Sequence, residues 1–262
     1  MSLQAKPYGS DMLEVQIPLT RADILHQCDV MEDVAIAYGY NKLNRTFPDK
    51  SATVGQPLPI NKLSDIVRLE AALVGWTEVM PLILCSHAEN FDNLKRKDHG
   101  QAVKLANPKT WEYQVVRTSL LPGMLKTIRE NKERVKPLKV FEVSDVVLQD
   151  ENVERRARNV RRFGAVWCGK TSGFEHIHGL LDRVMAMLGE KFLSKDCSDY
   201  GYWIEPVSND TYFPGRAATV HLRNENGAMQ IGNFGILHPE VLEKFELTYP
   251  CSSLEMDLEY FL

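Results

Sequence analysis

The sequence predicts an α+β protein on two observations. Amphipathic helical stripes occur near its start and in its middle, and a succession of short strand candidates with turn residues between them fills the last quarter. Residues 13 to 17, Leu-Glu-Val-Gln-Ile, alternate apolar and polar before Pro18 and read as a short strand. This strand has nothing before it to pair with, so it reads as the tail of a domain whose earlier part lies outside the sequence. A helix should follow, started by Thr20 or Asp23, with Ile24, Leu25, Cys28, Met31, Val34, Ala35 and Tyr38 on one stripe and Gly39 as its stop.

From Asn44 to Asn61 periodicity lapses in Pro, Ser, Thr and Gly, which marks a linker between domains. A second amphipathic helix spans about 63 to 77, with Leu63, Ile66, Val67, Leu69, Leu73 and Val74 apolar, and feeds a proline-interrupted strand over 79 to 84. The charged stretch 89 to 101 reads as loop. Pro122-Gly123 opens a helix to about Arg134, residues 138 to 148 form a strand or strand pair, and a basic run over 155 to 162 precedes a strand from Phe163 to Cys168. Ile177, Leu180, Leu181, Val184, Met185 and Leu188 make a helix ended by Gly189. Strands are then expected over 202 to 206, 217 to 223 and 230 to 237, the last two joined by an Asn226-Gly227 turn. A short helix from Pro239 to Phe245 and a final strand over 253 to 258 complete the chain.

Composition limits the function. With 262 residues, 44% hydrophobic and 25% charged, the chain is long enough to bury a core and excludes disordered, collagen-like and disulfide-dense classes. A net charge of -4 argues against coating nucleic acid or anionic membrane by bulk charge. Five scattered cysteines without a C-x-x-C pair point to reduced thiols in a cytoplasmic setting. No stretch reaches the length of an apolar signal or membrane span.

Few residues offer chemistry. On a helix, Asp29, Glu32 and Asp33 stand at i, i+3 and i+4 and share a face, with Asp23 near the helix start. Like charges so placed repel; a hard cation such as Mg²⁺ would relieve that, and a solvated acidic face is the alternative. His176 and His178 lack a third ligand and read as structural, and His238 before Pro239 reads as a cap. Arg155, Arg156, Arg158, Arg161 and Arg162 could face RNA phosphates or form a solvated loop. No phosphate-binding glycine loop and no nucleophile elbow is present, and Gly232 and Gly235 read as sites of close backbone packing.

Several segments in order carry a resemblance. Asn107-Pro108, then Val116-Arg117-Thr118-Ser119-Leu120-Leu121-Pro122-Gly123-Met124-Leu125, Asn131 and Leu138-Lys139-Val140-Phe141-Glu142-Val143 form its first block. Gly173-Phe174-Glu175-His176-Ile177-His178-Gly179-Leu180-Leu181-Asp182-Arg183, Phe213-Pro214-Gly215-Arg216-Ala217-Ala218, and Ile231-Gly232-Asn233-Phe234-Gly235-Ile236-Leu237-His238-Pro239-Glu240-Val241 follow. Together they resemble the noncatalytic, synthetase-like region of the phenylalanyl-tRNA synthetase beta-subunit family, in its eukaryotic or archaeal form. Upstream, Pro18-Leu19-Thr20-Arg21-Ala22-Asp23-Ile24, Glu32-Asp33 and Ala37-Tyr38-Gly39-Tyr40 are similar to the end of the small domain that precedes that region.

The resemblance implies a partial small α+β domain at 1–50 and a class II synthetase-like domain at 51–262, an antiparallel sheet flanked by helices. It implies an alpha subunit as partner, in a heterotetramer of two alpha and two beta chains, with tRNA bound through the complex and ATP used by alpha. Residues 62 to 82 would supply the helix and strand that pack against the alpha subunit. The family's Mg²⁺ pattern, D-x5-D-x2-E-D, falls on Asp23, Asp29, Glu32 and Asp33. Two departures imply a catalytically silent chain. Phe141-Glu142 stand on the strand where an ATP-holding arginine is wanted, and no G-x-G-x-x-R follows Gly235. Arg117 is then structural or interfacial. The rival reading is a free-standing synthetase-like protein that binds RNA or regulates another enzyme, with Arg155 to Arg162 as its surface.

Overall fold

The computed structural model describes residues 1–46, 55, 58–195, 197 and 199–262. The chain divides into two compact units, Met1–Gly55 and Gln56–Leu262. The expected division at residue 50, and most of the expected linker, lie outside the described residues.

In the first unit, β1 (Gln4–Tyr8) pairs antiparallel with β2 (Met12–Gln16), so the strand expected to lack a partner has one. Pro7 and two polar neighbours disguised β1, but a two-stranded sheet leaves every strand an edge where proline is tolerated. Gly9, with φ of 71°, makes the turn. Helix α1 spans Gln27–Tyr38 and starts later than expected. Pro18 to Ile24 instead makes successive turns, Arg21 N donating to Pro18 O and Ile24 N to Arg21 O. The extended His26 then caps the helix: its side chain accepts from Cys28 N, while the Asp29 carboxylate accepts from His26 N. Among the described residues of this unit only Ile24 is buried, and α1 buries none.

The second unit is built on a seven-stranded sheet. Helix α2 (Pro59–Leu73) leads through Gly75 into β3 (Thr77–Glu78); after Pro81 come β4 (Leu84–Cys85) and the short helix α3 (His87–Asn90). Of the expected strand at 79 to 84 only Leu84 is in a strand, residues 79 to 83 connecting β3 to β4, and the expected loop at 89 to 101 begins in a helix that buries Asn90. Strand β5 (Val115–Val116) pairs with β4, and α4 (Leu121–Glu130) follows with Pro122 in its first turn. A single long hairpin comes next, β6 (Leu138–Gln149) and β7 (Ala157–Cys168). Helix α5 (Phe174–Met187), β8 (Gly201–Pro206), β9 (Tyr212–Asn224), β10 (Gly227–Leu237), α6 (Pro239–Lys244) and β11 (Cys251–Asp257) complete it. Of the last hairpin, Asn224 faces Gly227, so the turn residues are Glu225 and Asn226, one position earlier than expected. Gly227, at φ of 110°, supplies the backbone freedom.

The order across the sheet is β3-β6-β7-β11-β10-β9-β8, antiparallel except for β3 on β6. Strand alternation sorts the core into two layers. On one face Phe141, Phe163, Val220, Leu254 and Met256 pack with Val67 of α2 and Leu181 of α5. On the other, Val140, Val166 and Cys168 pack with Met124, Leu125 and Ile128 of α4 and Val241 of α6. The sheet is close-packed where the sequence marked glycines: a Cβ on Gly232 would lie 2.5 Å from Glu255 O, and one on Gly235 2.6 Å from Arg216 O.

Candidate functional site

The four candidate magnesium ligands of the first unit, Asp23, Asp29, Glu32 and Asp33, do not gather at one point. Because α1 starts at Gln27, Asp23 sits in the preceding turn rather than on the helix. The Arg21 guanidinium lies between two of the carboxylates, 2.8 Å from Asp23 and 2.7 Å from Asp33, and its hydrogen bonds lower both from the usual carboxylate value. Asp29 accepts from Leu25 N and His26 N, and these backbone donors lower it too. All four donors are hard oxygens, which suits Mg²⁺. Asp23 and Asp33 answer to Arg21 and Asp29 to the helix end instead, and among the described residues no three His, Cys, Asp or Glu side chains gather to hold a metal. As they stand, the residues do not fit the ion.

Charge concentrates on the α4 face of the sheet in the second unit. Arg117, just before α4, lies 2.7 Å from Glu142 of β6, both nearly inaccessible to solvent. Its guanidinium also donates to Ser144 Oγ and to Asp145 O, which fixes the R-T-S-L-L-P-G segment on the sheet. Burial pushes the Glu142 carboxyl up, against the pull of Arg117. One strand further, Arg162 donates to Glu255 at 3.1 Å, to Asp257 at 2.6 Å and to Thr118 O. Glu255 also accepts from Ser119 Oγ and Leu120 N, so the start of α4 is tied to β11. Burial alone would raise Glu255, but Arg162, Arg96 and these donors hold it below the usual range; for Asp257 burial prevails and raises it.

The basic run is therefore a loop only at Arg155 and Arg156, which are exposed in the turn before β7. It enters β7 at Ala157, and strand pairing carries Arg161 onto Asp145 and Ser64, Arg162 onto β11, and Arg158 toward Asp150. His176 stacks on Trp167 with ring centroids 3.8 Å apart, and His178 packs by Phe234, so both histidines are structural. His238 caps α6 by accepting from Glu240 N, as its place before Pro239 indicated.

Helix α2 has two apolar faces. Leu63, Val67 and Ala71 are buried on the sheet, whereas Ile66, Leu69 and Leu73 form a stripe on the opposite side and are exposed. Met80, Leu82 and Ile83 after β3 are exposed as well.

The comparisons with known proteins bear on this arrangement. Residues 43–258 match the family model described as the phenylalanyl tRNA synthetase beta chain CLM domain, and residues 1–40 match the tRNA synthetase B5 domain. The chain belongs to the phenylalanyl-tRNA synthetase beta chain family. It is 55% identical over 264 residues to the phenylalanine–tRNA ligase beta subunit of Schizosaccharomyces pombe, covering 98% of this chain and 45% of that one. Identity to the beta subunit of Saccharomyces cerevisiae is 50%, over all of this chain and 46% of that protein, and to that of Homo sapiens 44%, over all of this chain and 44% of that protein. The chain thus spans a little under half the length of these relatives. Sequence reasoning singled out Arg162 but missed its partners, the buried Glu255 and the half-buried Asp257. Their signal was the alternation of Ser253, Glu255 and Asp257 with Leu254, Met256 and Leu258: acids on a strand whose other face is apolar need a buried cation.

Proposed function

We propose that this chain is the part of a beta chain that shapes a phenylalanine–tRNA ligase in the cytoplasm, supporting the ATP-dependent attachment of phenylalanine to its tRNA by an alpha subunit. The observation that carries the reading is the exposed stripe Ile66, Leu69 and Leu73 on α2, continued by Met80, Leu82 and Ile83. Apolar side chains spaced by helical turns and left uncovered suit a partner's helix, and alpha is the partner that a beta chain requires. Two such pairs would make the heterotetramer.

The chain's own contribution is structural rather than chemical. Stabilising the charge that develops on a phosphate needs a cation free to meet it. Arg117 is taken by Glu142, and Arg162 by Glu255 and Asp257. The rival RNA-binding reading is weakened in the same way, since of Arg155 to Arg162 the cations Arg158, Arg161 and Arg162 already have carboxylate partners, which leaves it Arg155 and Arg156.

Co-expression with an alpha subunit tests the reading. The chain should co-purify with alpha, and a Leu69→Glu, Leu73→Glu double variant should be lost from the complex while keeping its circular dichroism. Binding of tRNA without alpha, or phenylalanine-dependent ATP–pyrophosphate exchange by this chain alone, would overturn it.

Magnesium is a separate proposal, supported by the acidic pattern and its donor chemistry. Binding at Asp23, Asp29, Glu32 and Asp33 requires Arg21 to release two of them. Calorimetric titration of Mg²⁺ into the chain, the Arg21→Ala variant and the Asp29→Ala variant decides: equal and negligible heats in all three remove the site.

A further inference from the structure

A polar cavity of about 260 Å³ opens on the α4 face of the sheet, and its charges are unevenly used. Its polar lining comprises Arg96, Arg162, Asn209, Gln230, Asn233, Glu255 and Asp257. Of the two cations, Arg162 is consumed by Glu255 and Asp257. Arg96 is not. Lys95, in the left-handed conformation at φ of 56°, turns the chain so that Arg96 N bonds Phe91 O. The Arg96 Nε then donates to Thr211 Oγ1 at 3.3 Å, and that hydroxyl is itself anchored on Leu94 O. The guanidinium is thus held from behind, and its two terminal nitrogens have neither hydrogen bond nor ion pair among the described residues.

The remaining polar atoms complete a pattern. Asn233 Oδ1 accepts from Tyr212 Oη and Asn209 Oδ1 from Thr211 N, so both amides keep their NH₂ donors for the cavity. Glu255 has both oxygens engaged, whereas Asp257 uses only Oδ1, on Arg162; its Oδ2 has no hydrogen bond among the described residues. The wall between them is irregular, because the pairing of β10 with β9 slips between Gln230 and Gly232. Such bulges re-aim side chains next to binding sites.

We infer that this cavity binds a small zwitterion of the α-amino acid class, its carboxylate on Arg96 and the two amides and its ammonium on Asp257. A planar fork with free terminal donors matches a carboxylate in two hydrogen bonds. Inorganic phosphate has no cationic end for Asp257 and brings its charge toward two carboxylates. A nucleotide exceeds the volume, which lies below that of drug-sized pockets, roughly 300 to 1,000 Å³.

The site is independent of the alpha-subunit reading, because no residue of the α2 stripe lines it. Ligand-observed NMR and calorimetry on this chain test it with the twenty amino acids, their decarboxylated amines and inorganic phosphate, each up to about 10 mM. At least one amino acid should bind saturably, while its amine and phosphate do not. Arg96→Ala should weaken that binding about tenfold or more, the loss expected for a charged hydrogen-bonding group. Gln230→Trp, which fills the cavity from an exposed strand position, should abolish it with the folding transition unchanged, and serves if Arg96→Ala does not fold. Absence of saturable binding, equal binding of phosphate or of the amine, or affinity unaltered in both variants would overturn the inference.

Discussion

The two units use similar side chains to opposite effect. Residues Met31, Val34, Ile36 and Tyr38 of α1 are as apolar as Ile177, Leu180, Leu181 and Val184 of α5, yet the first four are exposed and the second four are buried. What differs is the number of layers. A hairpin and one helix give an apolar stripe nothing to close against, whereas a seven-stranded sheet with helices on both faces covers every inward residue. The ion pairs follow the same division. Arg21 meets Asp23 and Asp33 where water competes, while Arg117 meets Glu142 where it does not. Removing one partner is therefore costlier at the buried Arg117–Glu142 pair than at Arg21.

The largest test of this contrast is a pair of truncations. All four tryptophans, Trp76, Trp111, Trp167 and Trp203, lie in the second unit, so tryptophan fluorescence reports that unit alone. Phe163→Ala, fully buried on β7, should lower its urea stability by about 3 to 5 kcal/mol. Met31→Ala, exposed on α1, should move the midpoint by no more than about 0.5 kcal/mol. Comparable shifts would mean that the units fold as one.

Next in size is the buried charge on β11. Glu255→Ala takes from Arg162 one of its two carboxylate partners and leaves Ser119 Oγ and Leu120 N without their acceptor, and should cost roughly 3 kcal/mol or more. Replacing Arg21 by Ala should leave the tryptophan transition where it was. An unchanged midpoint in Glu255→Ala would show that the cluster can rehydrate without loss.

Titration sharpens the contrast within the second unit. Glu255 is lowered from its ordinary value of 4.5, so its contribution is present above that value and is lost as pH falls through its lower folded pKa. Glu142 is raised, so the folded chain takes up its proton first; from neutral pH down toward 4.5 its contribution becomes more favourable. Urea midpoints should therefore rise slightly in Glu255→Gln relative to the parent below pH 4.5. In Glu142→Gln the gain on acidification above pH 4.5 should vanish. Identical pH profiles in the two variants would refute the assignment.

Legibility in the sequence tracked the kind of signal. Periodic apolar residues located α2, α5 and the strands of the last quarter because burial sets the pattern there directly. Segments held by specific bonds were harder to read. The Pro18 to Ile24 turns resemble a helix start because Asp23 and Thr20 are good caps, but the extended His26 and the Asp29 carboxylate place the true start. Likewise the run from Arg155 to Arg162 read as facing RNA or as a solvated loop, since a sequence does not show that Asp145, Glu255 and Asp257 await Arg161 and Arg162 on neighbouring strands. The family resemblance supplied the fold and the acidic pattern, but the geometry of Arg21 and the cavity beside Arg96 required coordinates.

The smallest effect belongs to the weaker unit. Asp29 caps α1 reciprocally with His26, and its backbone donors hold it below the usual carboxylate range, so the cap is present above the ordinary aspartate pKa and survives until pH falls through the lower folded value. A 12-residue helix without buried side chains is close to the length at which isolated helices are marginal, so loss of one cap should be visible as lost helicity. Asp29→Ala should slightly reduce far-ultraviolet ellipticity at neutral pH while tryptophan fluorescence stays constant, and the parent should lose the same amount only in strong acid. If Asp29→Ala instead lowers the tryptophan midpoint, the helix end supports the second unit, and the contrast between the units is less sharp than their burial suggests.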